Sequence, residues 1–327
     1  MSIVFGQTTA IEILQMAALP QCRLLRLSDF SMSRKSLLPQ TAATSRAWEF
    51  AARCSLSLPL HVYVANQKSR RNVQGLKCHV WSHPLPHGSL LRIADDIYVS
   101  SPEFVFLQVA GNSTRMGLIE AGYELCGFHA THCHFDEELL QMPKPLTNKT
   151  RLAAYLARTK GLYGAGMARW AQRYVAERTR SPRETKLHMS LSLPRHYGGQ
   201  AADFLELNVE IPLGKKLQKV AGKAKYEIDV YDREGKTGFE YNSRSYHSGE
   251  MRSIEDIRRE SVLRNKGISV HVVTKSQSEN ALEIVRFAKI AYKARGRRFR
   301  PLSPDHIMKT QRLLNELYCV PGFGLYI

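Results

Sequence analysis

The chain has 327 residues, of which 43% are hydrophobic, enough for two ordinary domains that each bury a core, and this excludes a disordered or fibrous chain. Its 47 Lys and Arg against 29 Asp and Glu leave a net charge of +18, which favours a polyanionic partner such as nucleic acid or an anionic membrane surface. No run approaches the ~18 apolar residues that span a bilayer, and the start MSIVFGQTTAIEILQ lacks the basic and apolar regions of a signal peptide. A cytoplasmic protein is expected, with its six scattered cysteines as free thiols rather than a disulfide framework.

Residues 1–110 read as a small α+β domain with an ordinary basic loop, the alternative being a module that contacts DNA or a protein partner. Leu60–Val64 and Leu76–Ser82 alternate as strands do, with Lys68, Arg70 and Arg71 in the basic loop between them. Ser101 followed by Pro102 opens a helix. Residues 111–180 read as a helical connecting region, with helices over 148–159 and 164–177. Cys126, His129, His132, Cys133 and His134 crowd into nine positions, but one segment does not supply the two paired knuckles of a structural zinc site, so a loop with incidental histidines is expected.

From Ser181 the order becomes helix, three strands, helix, strand and two helices, which predicts a mixed sheet flanked by helices over residues 181–327. About half of the charge excess lies here, 26 basic against 17 acidic residues. Arg286 to Arg300 carries Lys289, Lys293, Arg297 and Arg298 with no acid, interleaved with Tyr292 and Phe299, a pattern that suits a phosphate backbone.

YEIDVYDREGKTGFEYN reads as a hairpin with a loop over 233–238. Asp232 then faces Phe239, and Asp229 lies diagonal to Glu240. Alternation puts Ile228, Val230, Phe239 and Tyr241 on a core face, and Glu227, Asp229, Tyr231, Glu240 and Asn242 on the other. Two converging carboxylates repel unless a proton or cation lies between them, and Mg2+, with Mn2+ as an alternative, suits such oxygen donors. From the spacing alone, a solvated sheet face whose acids meet nearby lysines is the slightly favoured reading. Glu184, in SPRE, reads as a capping-box acid reaching back to the Ser181 backbone, and Asp256 and Arg259 as an i,i+3 pair on a helix.

The succession SPRET, the Asp229 strand, GFEYNS, His247 and DIRRESVLRNKGISVHVVT resembles the very-short-patch-repair-like endonuclease domains of the PD-(D/E)XK restriction-endonuclease-like superfamily, over about residues 181–275. The resemblance implies an α/β nuclease fold within an α+β chain and divalent-metal-dependent hydrolysis of DNA phosphodiesters. It implies Asp229 and Glu240 as metal ligands, Glu184, Asn242 and His247 as further catalytic residues, and Arg259 and Arg264 with the basic 286–300 segment as phosphate contacts. Asn242-Ser243 departs from the usual Asp-Gly or Lys, and Asn orients a water but serves as neither base nor cation. Residues 1–180 resemble, faintly, the N-terminal regions of abortive-infection-antitoxin-like bacterial proteins. The alternatives are an inactive nuclease-fold DNA-binding or regulatory protein and an RNA-directed nuclease.

Overall fold

The computed structural model describes residues 2–20, 25, 27–29, 38–39, 43–131, 140–241, 254–300 and 302–319. The chain divides into two compact units, one spanning Met1–Glu177 and the other starting at Arg178. Both are mixed α/β, each with a sheet and flanking helices. Among the described residues no helix is long and apolar enough to cross a membrane.

In chain order the first unit holds β1 (Ile3–Phe5), α1 (Gln7–Ala18), β2 (Ser28–Asp29), α2 (Thr44–Cys54), β3 (Leu60–Val64), β4 (Leu76–Val80), β5 (Leu90–Ala94), β6 (Ile97–Ser100), α3 (Pro102–Ala110), α4 (Arg115–Leu125), β7 (His129–Ala130), β8 (Leu140–Gln141), α5 (Lys149–Ala157) and α6 (Ala165–Gln172). Six strands form one sheet in the order β2-β5-β6-β1-β3-β4. The Ser101 hydroxyl accepts the Phe104 N–H at 3.3 Å with Pro102 in the first turn, so α3 starts where the sequence places it. Every residue of α3 is buried, and α1, α4, α5 and α6 all pack on it. A helix buried on every side needs cover all round, so the helices after residue 110 complete this core.

The second unit holds α7 (Pro182–Ser192), β9 (Glu206–Pro212), α8 (Lys215–Ala221), β10 (Lys225–Asp232), β11 (Thr237–Tyr241), α9 (Ile254–Asn265), β12 (Ser269–Val273), α10 (Lys275–Ser278), α11 (Ala281–Ala294) and α12 (Pro304–Cys319). The sheet order is β12-β11-β10-β9, antiparallel except for β11 with β12, which α9 joins as a crossover. On one face Val209, Ile211, Tyr226 and Ile228 pack with Ala221 of α8 and Val262 and Leu263 of α9. Helices α7 and α11 cover the other, where Phe239 meets Phe287 edge-on with ring centroids 5.6 Å apart.

The hairpin register differs from expectation: Asp232 pairs with Thr237 and Val230 with Phe239, so the turn is 233–236, two residues shorter. Asp232 causes this. Its Oδ1 accepts the Glu234 N–H at 3.1 Å and the Arg295 Nη1 at 2.7 Å, drawing the chain round at once. Gly235 fits beneath because a Cβ there would lie 2.5 Å from Asp232 Oδ2 and 3.0 Å from the Arg295 nitrogen. Continued by one residue, the register sets Asp229 directly opposite Glu240 rather than diagonal to it.

Strict alternation along β10 also fails. Ile228 and Tyr231, three apart, belong to the same apolar cluster, and a Cβ on Gly238 would meet both. The break falls at the one rung absent from the β9–β10 ladder, Asn208 opposite Asp229, where Asn208 adopts φ 47°. The left-handed Asn208 in mid-strand thus coincides with the break in alternation at Asp229, while the register is the same on either side.

Candidate functional site

Glu184 sits in the first turn of α7, buried, and does what its capping position asks in a modified way. Its N–H donates to Ser181 Oγ at 3.2 Å and its Oε1 accepts from the same hydroxyl at 3.0 Å. Oε2 reaches the N–H of Arg180 at 2.9 Å, one residue before the expected Ser181 backbone. The Asn208 amide donates to this Oε2 and to the Arg178 carbonyl, both at 2.7 Å. The strained Asn208 thus ties α7 to β9 and holds the Glu184 carboxylate toward β10. Sequence reasoning passed over Asn208, although an Asn amid ELNVEIP was a visible interruption of an apolar strand.

Asp229 Oδ2 accepts the Tyr241 N–H at 2.8 Å, and its other oxygen takes no hydrogen bond from a described residue. Burial, then the Glu184 charge and the Glu240 charge, push its carboxyl up to about 8, against the pull of the Tyr241 N–H and Arg259. Burial likewise raises Glu240, opposed by Arg259. The fold therefore brings two of the expected residues, Glu184 and Glu240, within electrostatic reach of a third, Asp229. Asn242 and His247 lie outside the described residues.

Arg259, on the second turn of α9, bonds the Glu240 carboxylate and the Glu227 carbonyl through Nη2. Its guanidinium also lies over the Tyr226 ring, 5.0 Å from the centroid. The cation beside Glu240 is thus a protein side chain. Among the described residues no three His, Cys, Asp or Glu side chains are gathered as a ready metal-binding group. Asp229 and Glu240 are hard oxygen donors of the kind a small divalent cation takes along with its waters, and the undonated Asp229 oxygen leaves room for a bond. Such binding at Glu240 would require Arg259 to give way.

The remaining basic residues are spread over the unit. Arg264 pairs with Glu260 at 2.6 Å on the exposed face of α9. Lys289 lines a groove of about 410 Å³ with Leu282, Val285, Arg286, Leu302 and Ile307. Lys293, Arg297 and Arg298 are exposed at the end of α11. There the interleaved aromatics form a ladder: Phe204 on Tyr292 and Tyr292 on Phe299 at 5.4 and 5.3 Å, with Arg295 and Arg297 over Phe204 and Arg195 over Phe299. No family model, curated protein or solved structure matches this chain.

In the first unit, Cys126 and His129 are both buried, and burial pushes the Cys126 thiol up. His132, Cys133 and His134 lie outside the described residues. A different pair emerges on neighbouring strands: His61 Nδ1 and His79 Nε2 lie 2.9 Å apart, and Gln7 Nε2 donates to Tyr63 Oη at 3.2 Å and lies 3.4 Å from His79 Nδ1. Burial depresses His61 to about 3 and His79 to about 4, with His79 and Lys77 adding to the first and Lys77 and Arg70 to the second. The pair is neutral at physiological pH and works as a polar seam in the core. Eighteen residues of separation gave no sequence signal for it.

Proposed function

We propose that the second unit is a divalent-metal-dependent endonuclease acting on DNA. The observation that carries this reading is the Asp229 carboxyl, half-buried near Glu184 and opposite Glu240, with one oxygen that takes no hydrogen bond from a described residue. Two carboxyls, Asp229 and Glu240, held where burial opposes their ionisation and with a third acid, Glu184, beside the first, are more characteristic of a working site than of a scaffold. Mg2+ or Mn2+ held by Asp229 and Glu240 would supply Lewis acidity at the scissile phosphate and a more acidic water. Glu184, anchored by Ser181, Arg180 and Asn208, fixes a negative charge near Asp229. Arg259 neutralises Glu240 in the absence of metal and, released from it, is free to meet a phosphate oxygen. Lys293, Arg297 and Arg298, beside the aromatic ladder, suit backbone contacts and base stacking. The N-terminal unit is proposed to recognise DNA or a protein partner.

Purified protein incubated with plasmid in Mg2+, Mn2+ or EDTA tests this directly. Metal-dependent nicking that disappears in Asp229→Ala is expected, and equal nicking by wild type and variant overturns the assignment. A second reading, a nuclease-fold DNA-binding protein without catalysis, draws on the Arg259–Glu240 pair, in which an arginine occupies the place beside the carboxylate. It predicts salt-sensitive DNA binding that is indifferent to EDTA. Preferential cleavage of RNA over duplex DNA would redirect the substrate rather than the chemistry.

A further inference from the structure

The two edges of the second sheet are treated very differently. β9 carries exposed Glu206 and Glu210, ends in Pro212, and is kinked at Asn208, whose carbonyl accepts from Arg178 Nη2 at 3.3 Å. Charge, proline, a kink and a covering side chain are the means by which natural sheets stop an edge from pairing with another chain. β12, SVHVV, has none of these: no charged residue, no proline and no left-handed residue. Val272 on this edge is 47% exposed.

The hydrogen-bonding phase of β12 is set by its neighbour. The Ser269 N–H donates to the Lys236 carbonyl, so Ser269, His271 and Val273 turn their backbone groups toward β11. Val270 and Val272 therefore point their N–H and C=O groups outward, and no hydrogen bond from a described residue reaches them. We propose that this edge pairs antiparallel with the same edge of a second copy of this chain, centred on His271, to continue the sheet across a two-fold axis.

The sequence is self-complementary in that register. Val270 of each copy faces Val272 of the other as a hydrogen-bonded pair, which satisfies all four outward groups on each strand. His271 meets its symmetry mate at the close, non-bonded position. No like charges on the strands oppose one another. Beside the seam, Glu283 and Arg286 sit one turn apart on α11, and Arg286 acts on His271, so a reversed copy can set acid against base. A strand pair of five residues buries far less than a standard interface, so the dimer should be weak, with Kd roughly 10–100 µM. Glu240 pairs with Val272 one strand in from the seam. Across the seam two such residues stand roughly 15 Å apart from the strand spacing alone, so the association would also set the distance between two candidate sites. The pairing itself does not depend on the activity proposed for those sites.

Sedimentation equilibrium between about 5 and 300 µM tests it. A mass rising from the 37.1 kDa monomer toward twice that value is expected. Val272→Pro should hold the monomer mass throughout, since residue 272 donates no bond to β11 and its own sheet loses nothing. A circular dichroism melt confirms that the variant folds. Independently, His271→Cys should form an oxidised dimer on a non-reducing gel, whereas Leu282→Cys, at a position 61% exposed on α11, should not. A wild type that stays monomeric at about 300 µM overturns the proposal. So does a dimer that survives Val272→Pro, or a His271→Cys variant that cross-links no more than Leu282→Cys does.

Discussion

Asp229 stands between two demands, since the site needs its charge and the fold opposes it. A carboxyl whose folded pKa exceeds its unfolded one contributes fully to stability below the unfolded value, near 3.8, and loses that contribution as pH rises through about 8. Asp229→Asn removes the loss while keeping an acceptor for the Tyr241 N–H. In EDTA at about pH 8.5 its melting temperature should exceed the wild type's by a few degrees, about 1–2 kcal/mol, and the gap should close below about pH 4. Mg2+ should raise the melting temperature of the wild type and leave the variant unmoved. Arg259 sets the complementary test. Arg259→Met leaves Glu240 half-buried without its cation, which should cost about 1–3 kcal/mol in EDTA by urea unfolding. Mg2+ should recover more stability in this variant than it adds to the wild type, because the site no longer has to displace an arginine.

At the scale of elements, two short segments position the site. Asn208, at the irregular rung opposite Asp229, anchors Glu184, so Asn208→Ala loses two hydrogen bonds and places a Cβ residue without a stabilising side chain at φ 47°. About 2–3 kcal/mol should be lost by denaturant midpoint, and Asn208→Gly, which relieves the backbone alone, should recover under half of it. At the other end of β10 the fully buried Asp232 meets Arg295, which is 12% exposed and also bonds Glu234 at 2.7 Å. Arg295→Met should cost about 3–5 kcal/mol, because it strands a buried charge and loosens the turn that sets the hairpin register. Exposed pairs such as Arg264–Glu260 should contribute under about 1 kcal/mol.

For the whole molecule, the two units each carry a sheet and a core, so residues from 178 onward expressed alone should fold cooperatively by circular dichroism and thermal melting. If the nuclease reading holds, that fragment should retain metal-dependent nicking. The basic excess of this half predicts that DNA binding weakens steeply with salt, and Lys293→Ala combined with Arg298→Ala should flatten the slope of log K against log[salt] by roughly 2. Fluorescence anisotropy across about 50–300 mM NaCl reads this, and an unchanged slope removes these residues from the interface.

Local chemistry alone determined a good deal. The caps at Ser101 and Ser181, the β-branched run of β12, the apolar period of α11 and the flanked mixed sheet are all legible, because each depends on neighbours a few residues apart. So was the presence of Glu184, Asp229 and Glu240 on a helix and two strands of one unit. What only the tertiary structure decided involves partners far apart in sequence. Arg295 clamps Asp232 from 63 residues away and shortens the turn; Asn208 kinks beneath Asp229; Arg259 crosses 19 residues to Glu240. The His61–His79 pair belongs to the same class. Periodicity reports which face a side chain takes, but the register, the irregular rung and the identity of the cation beside a carboxylate are set by long-range packing, which leaves no local pattern in the chain.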